Sequence, residues 1–194
     1  MIICIAANPS IDKLFEVERL VPGAIHRPVR FVQTAGGKGL NVARAAHSLG
    51  ADVRAVGILR GHGGTWLVEA MKAEGIAGSF VWAEGESRSS LSVASHQAAE
   101  LTEFYEDGPI LPVTAWAELM EAARREFEPG QWLTISGSLP PGAPSDGYRQ
   151  LVRQARGAGM QVALDASGEL LRLALPAGPD IVKVNVAEAA RRSG

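Results

Sequence analysis

Apolar positions recur along this chain with two alternating periods. Met1 to Ala7 is a nearly continuous apolar run broken by Asn8-Pro9, which predicts a buried first strand. Asp52 to Leu59 is a second such run, bounded by glycine. The spacing then changes, because Thr65 to Glu74 carries Leu67, Ala70 and Met71 at helical intervals, as a βαβ unit requires. Thr114 predicts a helix N-cap ahead of a stripe of Trp116, Leu119, Met120, Ala123 and Phe127, and a strand follows over Trp132 to Ser136. Tyr148, Leu151, Val152 and Ala155 form another helical face, ended by Gly157 and Gly159. Val162 to Leu164 and Ile181 to Val184 complete the series of strands. This alternation predicts an α/β fold with a doubly wound, mostly parallel sheet, in which the aromatic and Met stripes are core.

Two regions break the rhythm. Ile11 to Thr34 alternates like a strand on both sides of the turn Pro22-Gly23, and Gly85 to Asp107 does so through Leu91, Val93, Phe104 and Tyr105. Neither holds a helix of useful length. They are expected to pair as a small β-sheet lid over the site, and their apolar residues predict a homodimer through that lid.

Candidate chemistry concentrates where Gly36, Gly37 and Gly39 run into an alanine-rich helix with Asn41 at its entrance. Glycine lets main-chain N-H groups approach a ligand, and the free N-H groups of a helix start favour an anion. Gly-x-x-x-x-Gly-Lys-[Ser/Thr] fails because Lys38 is followed by Gly39, and Gly-x-Gly-x-x-Gly lacks its third glycine, so neither common nucleotide loop lies here. Other separated pieces accompany this loop: Asn8-Pro9-Ser10-Ile11-Asp12, Glu86-Ser87-Arg88, Ser136-Gly137-Ser138-Leu139-Pro140, Asp165-Ala166-Ser167-Gly168, and Lys183-Val184-Asn185-Val186-Ala187-Glu188. The serine loop lacks the Gly-x-Ser-x-Gly spacing of a hydrolase elbow.

In wording and order these pieces resemble the ribokinase-like (PfkB) carbohydrate kinases, in their 1-phosphofructokinase and tagatose-6-phosphate kinase branch. The resemblance implies ATP-dependent phosphorylation of a ketohexose phosphate. It gives Asp12 and Asn41 to sugar hydroxyls, with Gly36, Gly37 and Lys38 in the same sugar-binding turn. Arg88 would clamp the phosphate already on the substrate, with Arg27 as a second candidate and Ser138 as a contact from the opposite wall. Lys183, Asn185 and Glu188 would serve the nucleotide phosphates and magnesium, Glu188 acting on the metal through water. Asp165 matches the branch pattern too, with helix capping as its other reading.

One family motif is absent from these residues. Gly-Ala-Gly-Asp supplies the catalytic base and anion hole in the family, whereas Gly157-Ala158-Gly159 is followed by Met160 and lies between a helix and a strand. The chain is therefore expected to be the N-terminal part of such a kinase, nearly inactive by itself, with its base beyond residue 194. A base is typically worth about 10²- to 10⁴-fold. The alternative is a non-catalytic sugar-phosphate-binding or regulatory module ending near residue 194.

Composition adds exclusions. A formal net charge of -2 over 194 residues, with no basic run, gives no electrostatic reason for nucleic acid or an anionic membrane as partner. Met1 to Ala7 lacks a cationic leader region, no stretch reaches membrane-spanning length, and the single Cys4 reads as a packed core thiol, so a cytoplasmic location is expected. His26, His47, His62 and His96 have no metal-ligand spacing.

Overall fold

The structure is a computed structural model that describes residues 1–184. Its chain runs β1 (Ile2–Ala6), β2 (Ser10–Val17), β3 (Arg30–Gly36), α1 (Lys38–Ser48), β4 (Val53–Arg60), α2 (Gly61–Ala73), β5 (Ala77–Ala83), β6 (Arg88–Ser95) and β7 (Glu100–Tyr105). There follow α3 (Val113–Glu126), β8 (Trp132–Ser136), α4 (Gly147–Gly157), β9 (Gln161–Asp165), α5 (Gly168–Ala174) and β10 (Ile181–Lys183).

Six strands form a sheet in the order β10-β9-β8-β1-β4-β5, and every pairing in it is parallel. The period-2 alternation of β1 divides the core into two layers. Ile3 and Ile5 pack with Trp116 and Leu119 of α3 and with Tyr148, Leu151 and Val152 of α4. Cys4 and Ala6 point the other way, onto Leu40 and Ala43 of α1 and Leu67 and Met71 of α2. Both faces of a parallel sheet are thus covered, which is why these strands read as continuous apolar runs. The Cys4 thiol is fully buried, and burial pushes its pKa up, in keeping with a packing role.

Ile11 to Thr34 and Gly85 to Asp107 join in a second, four-stranded sheet of order β3-β2-β6-β7. Here β2 and β6 are parallel, while β2-β3 and β6-β7 are antiparallel. Phe15 and Phe31 meet edge to face across β2-β3, with ring centroids 5.4 Å apart.

Three departures from the sequence reading have physical causes. Thr114 is not the N-cap of α3: the helix begins at Val113 with Pro112 in the cap position, and no side chain caps it. Strand β5, whose Gly78 and Ser79 cut its apolar run to Phe80-Val81-Trp82, pairs with β4 on the sheet edge, buries Val81 in the core beside α3 and donates from Ser79 to Glu126. Helix α2 begins at Gly61, four residues before Thr65, through the poor helix formers His62-Gly63-Gly64. The Glu86 carboxylate, distant in sequence, accepts the His62 and Gly63 N-H groups at 2.9 Å each and so caps that start. Those two main-chain donors, Gly63 first, hold the Glu86 carboxyl below the usual glutamate range.

Candidate functional site

A cavity of about 520 Å³ opens at the C-terminal ends of the parallel strands. It is walled by Ala6 to Pro9 after β1, Ser136 to Leu139 at the end of β8, and Ala166 and Ser167 after β9. From β1 the chain works outward through β4 and β5, then returns to the other flank of β1 as β8. That reversal leaves a crevice beyond the strand ends, where open α/β sheets bind ligands.

Glycine places α1 against this crevice. Gly37 takes φ 82°, a left-handed conformation that lets the chain turn from β3 into the helix. At Gly39 a Cβ would lie 2.1 Å from the Ile5 carbonyl oxygen, so only glycine allows α1 to close onto β1. Lys38 between them reaches the cavity wall.

Of the residues expected at the site, Lys38, Arg88 and Ser138 line the cavity directly. Asp12 is held beside them: its Oδ1 accepts the Ser10 hydroxyl at 2.5 Å and its Oδ2 accepts the Gly37 N-H at 3.3 Å. Gly36 pairs with Ser10 across β2-β3, and an added Cβ there would strike the Asp12 carboxylate, so this glycine leaves that carboxylate its space. Asn41 sits one turn along α1, where its Oδ1 accepts Arg44 Nη1 at 2.9 Å. Arginine has no acceptor, so the amide oxygen is turned toward it and the NH₂ is the pole left over. The NH₂ and the second lone pair of that oxygen are the hydrogen-bonding capacity Asn41 keeps. Arg44 is in turn braced by Glu74.

Arg88 is partly buried, and desolvation lowers its pKa while Asp12, Glu106 and Asp107 act against that. Its Nε donates to the Asn8 carbonyl at 3.2 Å, and its Nη1 to the Glu106 carbonyl at 3.1 Å and the Ser90 hydroxyl at 3.3 Å. Only neutral acceptors bond it, so its charge is not neutralised by a bonded carboxylate among the described residues. Arg27 stands elsewhere, exposed in the loop between β2 and β3 and not on this cavity.

Asp165 ends β9 facing two cations, with Lys183 Nζ 3.3 Å and Lys38 Nζ 3.9 Å from its carboxylate. Its carbonyl also accepts the Gly137 N-H at 3.1 Å, tying β9 to the serine loop. Ser167 takes the N-cap position of α5 without a side-chain cap bond, so capping does not account for this motif. Asn185 and Glu188 lie outside the described residues. Among the described residues no group of three His, Cys, Asp or Glu could hold a metal ion.

Sequence reasoning missed Asn8, Glu106 and Asp107. Asn8 Nδ2 donates to the Asp107 carbonyl at 3.1 Å and to Ser138 Oγ at 3.5 Å, bridging the second sheet to the serine loop. The Asn8-Pro9 break was visible as the end of a strand. Nothing local marks Glu106-Asp107, which reach the cavity only because β7 delivers them there.

Residues 4–194 match the pfkB family of carbohydrate kinases. The chain belongs to that family. It is 36% identical over 178 residues to the 1-phosphofructokinase of Xanthomonas campestris pv. campestris, covering 91% of this chain and 56% of that protein. Among solved structures it is similar to phosphofructokinase-2 of Escherichia coli in complex with fructose-6-phosphate (32% identity, TM-score 0.91). That alignment covers 98% of this chain and 63% of the other. A tetrameric inhibited form of the same enzyme matches with a TM-score of 0.90. The ribokinase of Giardia lamblia, 16% identical with a TM-score of 0.76, shares the fold over the whole of this chain and 64% of its own. This pfkB chain thus spans between half and two thirds of the length of these relatives.

Proposed function

We propose that this chain carries the sugar-phosphate-binding part of an ATP-dependent kinase acting on a ketohexose phosphate, of 1-phosphofructokinase or tagatose-6-phosphate kinase type. One observation carries the reading: Arg88 stands on the wall of the cavity at the strand ends, bonded to neutral acceptors, with Lys38 of α1 lining the same cavity. A phosphorylated sugar supplies a dianion for Arg88, which no bonded carboxylate neutralises among the described residues. Asp12 accepts from sugar hydroxyls, Asn41 donates to them, and Ser138 closes the facing wall. The same direction is supported by the resemblance to enzymes whose names specify phosphofructose substrates.

ATP would supply the transferred phosphoryl group, and bound magnesium would supply charge neutralisation of its phosphates. Lys183 suits the nucleotide side, because it shares Asp165 with Lys38 and so stands close to the sugar side. By the family resemblance Asn185 and Glu188, outside the described residues, would serve the nucleotide phosphates and magnesium, Glu188 through water. The second sheet serves as lid and as homodimer interface.

Calorimetry with fructose 1-phosphate tests the reading. Arg88→Ala is expected to weaken binding by about 10- to 150-fold, the value of a charge-assisted hydrogen bond. Binding of unphosphorylated fructose should hardly change. Equal affinity for wild type and variant would remove Arg88 from the site. A coupled ADP-release assay on the 194-residue chain is expected to give no turnover, and robust turnover would require a base within these residues, Asp165 first.

A further inference from the structure

Arg60 ends β4 with only 4% of its surface exposed, and no carboxylate among the described residues bonds it. Desolvation alone lowers its pKa. Its Nη1 instead donates to two main-chain carbonyls, those of Glu84 and Ile110, each at 3.1 Å. Glu84 lies in the crossing that leaves β5 for the second sheet, and Ile110 in the crossing that returns from β7 to α3. A single charged atom therefore holds two of the four connections between the sheets, the one that leaves β5 and the one that returns from β7.

The main chain of Arg60 grips the outgoing crossing again. Its N-H donates to Ser87 Oγ at 3.0 Å, and its carbonyl accepts the Ser87 N-H and hydroxyl at 3.1 Å each. Glu86, one residue earlier, is bound to the start of α2 as described above. Arg88 follows at once. Arg60, Ser87, Arg88 and Asn8 also border a space of about 10 Å³, close to one water molecule in size. Burying an arginine away from carboxylates is costly unless its donors are satisfied. That cost is met only while both crossings are in place, so the charge couples them.

We infer that Arg60 is a positioning residue, which clamps together the crossing from β5 to β6 and the crossing from β7 to α3 and thereby sets where Arg88 stands in the cavity. The clause about Arg88 rests on the sugar-phosphate reading; the clamp itself does not. The Glu86-Ser87-Arg88 motif then divides its work: Glu86 caps α2, Ser87 engages Arg60, and only Arg88 faces the ligand.

Hydrogen exchange read by mass spectrometry on the 194-residue chain tests the clamp without any ligand. Arg60→Met should speed exchange about tenfold in residues 84–88 and 106–111 together, while β1 and β8 stay protected. Arg60→Lys, whose ammonium has donors for both carbonyls, should restore part of that protection. Should Arg60→Met fail to fold, Ser87→Ala should loosen residues 84–88 alone. Unchanged exchange in the crossings of the folded variants would overturn the clamp.

Calorimetry with fructose 1-phosphate tests the second clause. Arg60→Met should weaken binding about tenfold, yet add nothing to Arg88→Ala, since coupled residues are not additive. Additive losses would overturn the action through Arg88. A wild-type chain that fails to bind fructose 1-phosphate would remove that clause with the reading it rests on, and exchange alone would then decide the clamp.

Discussion

The two sheets of this molecule are held together differently. In the parallel sheet Ile3, Leu133, Ile135 and Leu164 are at most 1% exposed, and helices cover both faces. In the second sheet Phe31, Leu101, Phe104 and Tyr105 are more than half exposed. The first sheet makes its own core. The second depends on ladder hydrogen bonds, on a smaller apolar contact in which Ile11 and Ala35 pack under α1 and α2, and on polar ties to the body through Asn8, Arg60 and Arg88. Large apolar exposure of this kind marks an interaction surface. An element with one small apolar contact and a few polar ties can also change its pose more readily than one locked between two helical layers.

Mutations can break or sharpen this contrast. Leu133→Ala, at a position with no exposure, should cost about 2 to 5 kcal/mol in urea unfolding. Gly39→Ala should cost about 1 to 3 kcal/mol, because the added Cβ meets the main chain of β1 and cannot be accommodated by a side-chain rotation. Phe15→Asp, placed beside Phe31 in the second sheet, should shift the chain toward monomer in sedimentation at about tens of micromolar. A wild-type monomer at that concentration would leave the exposed residues without the proposed partner. In the monomer, Phe104→Ala should change stability by no more than about 0.5 kcal/mol, and a loss as large as that of Leu133→Ala would erase the contrast.

The smallest effect concerns pH at the join between the sheets. The folded-state pKa of Glu86 is depressed below its ordinary value of 4.5, so the carboxylate stabilises the fold above that pH. The contribution is lost as pH falls below about 4.5 and the group takes up its proton. The stability difference between wild type and Glu86→Gln should therefore narrow on going from neutral pH to about pH 3. A difference that stays constant would mean that the carboxylate charge contributes nothing to the cap on α2.

By itself the sequence determined the alternation of strands and helices, the buried faces, and the segments that leave the parallel body. The reason is that each rests on local periodicity: β8 spans Trp132 to Ser136 as its apolar run predicts, and the α4 stripe of Tyr148, Leu151, Val152 and Ala155 is wholly buried. The family resemblance of its motifs marked Lys38, Arg88 and Ser138, which the cavity brings together from α1, β6 and the loop after β8. Only the tertiary structure decided what depends on distant partners. The true start of α2 needs Glu86, the orientation of the Asn41 amide needs Arg44, and the reach of Glu106 and Asp107 into the cavity needs β7 to pair with β6. The role of Arg60 was hidden for the same reason: in sequence it is one more arginine at a strand end, and its two acceptors lie 24 and 50 residues away. Periodicity is written into neighbouring residues, whereas caps, clamps and cavity walls exist only once the chain has folded back on itself.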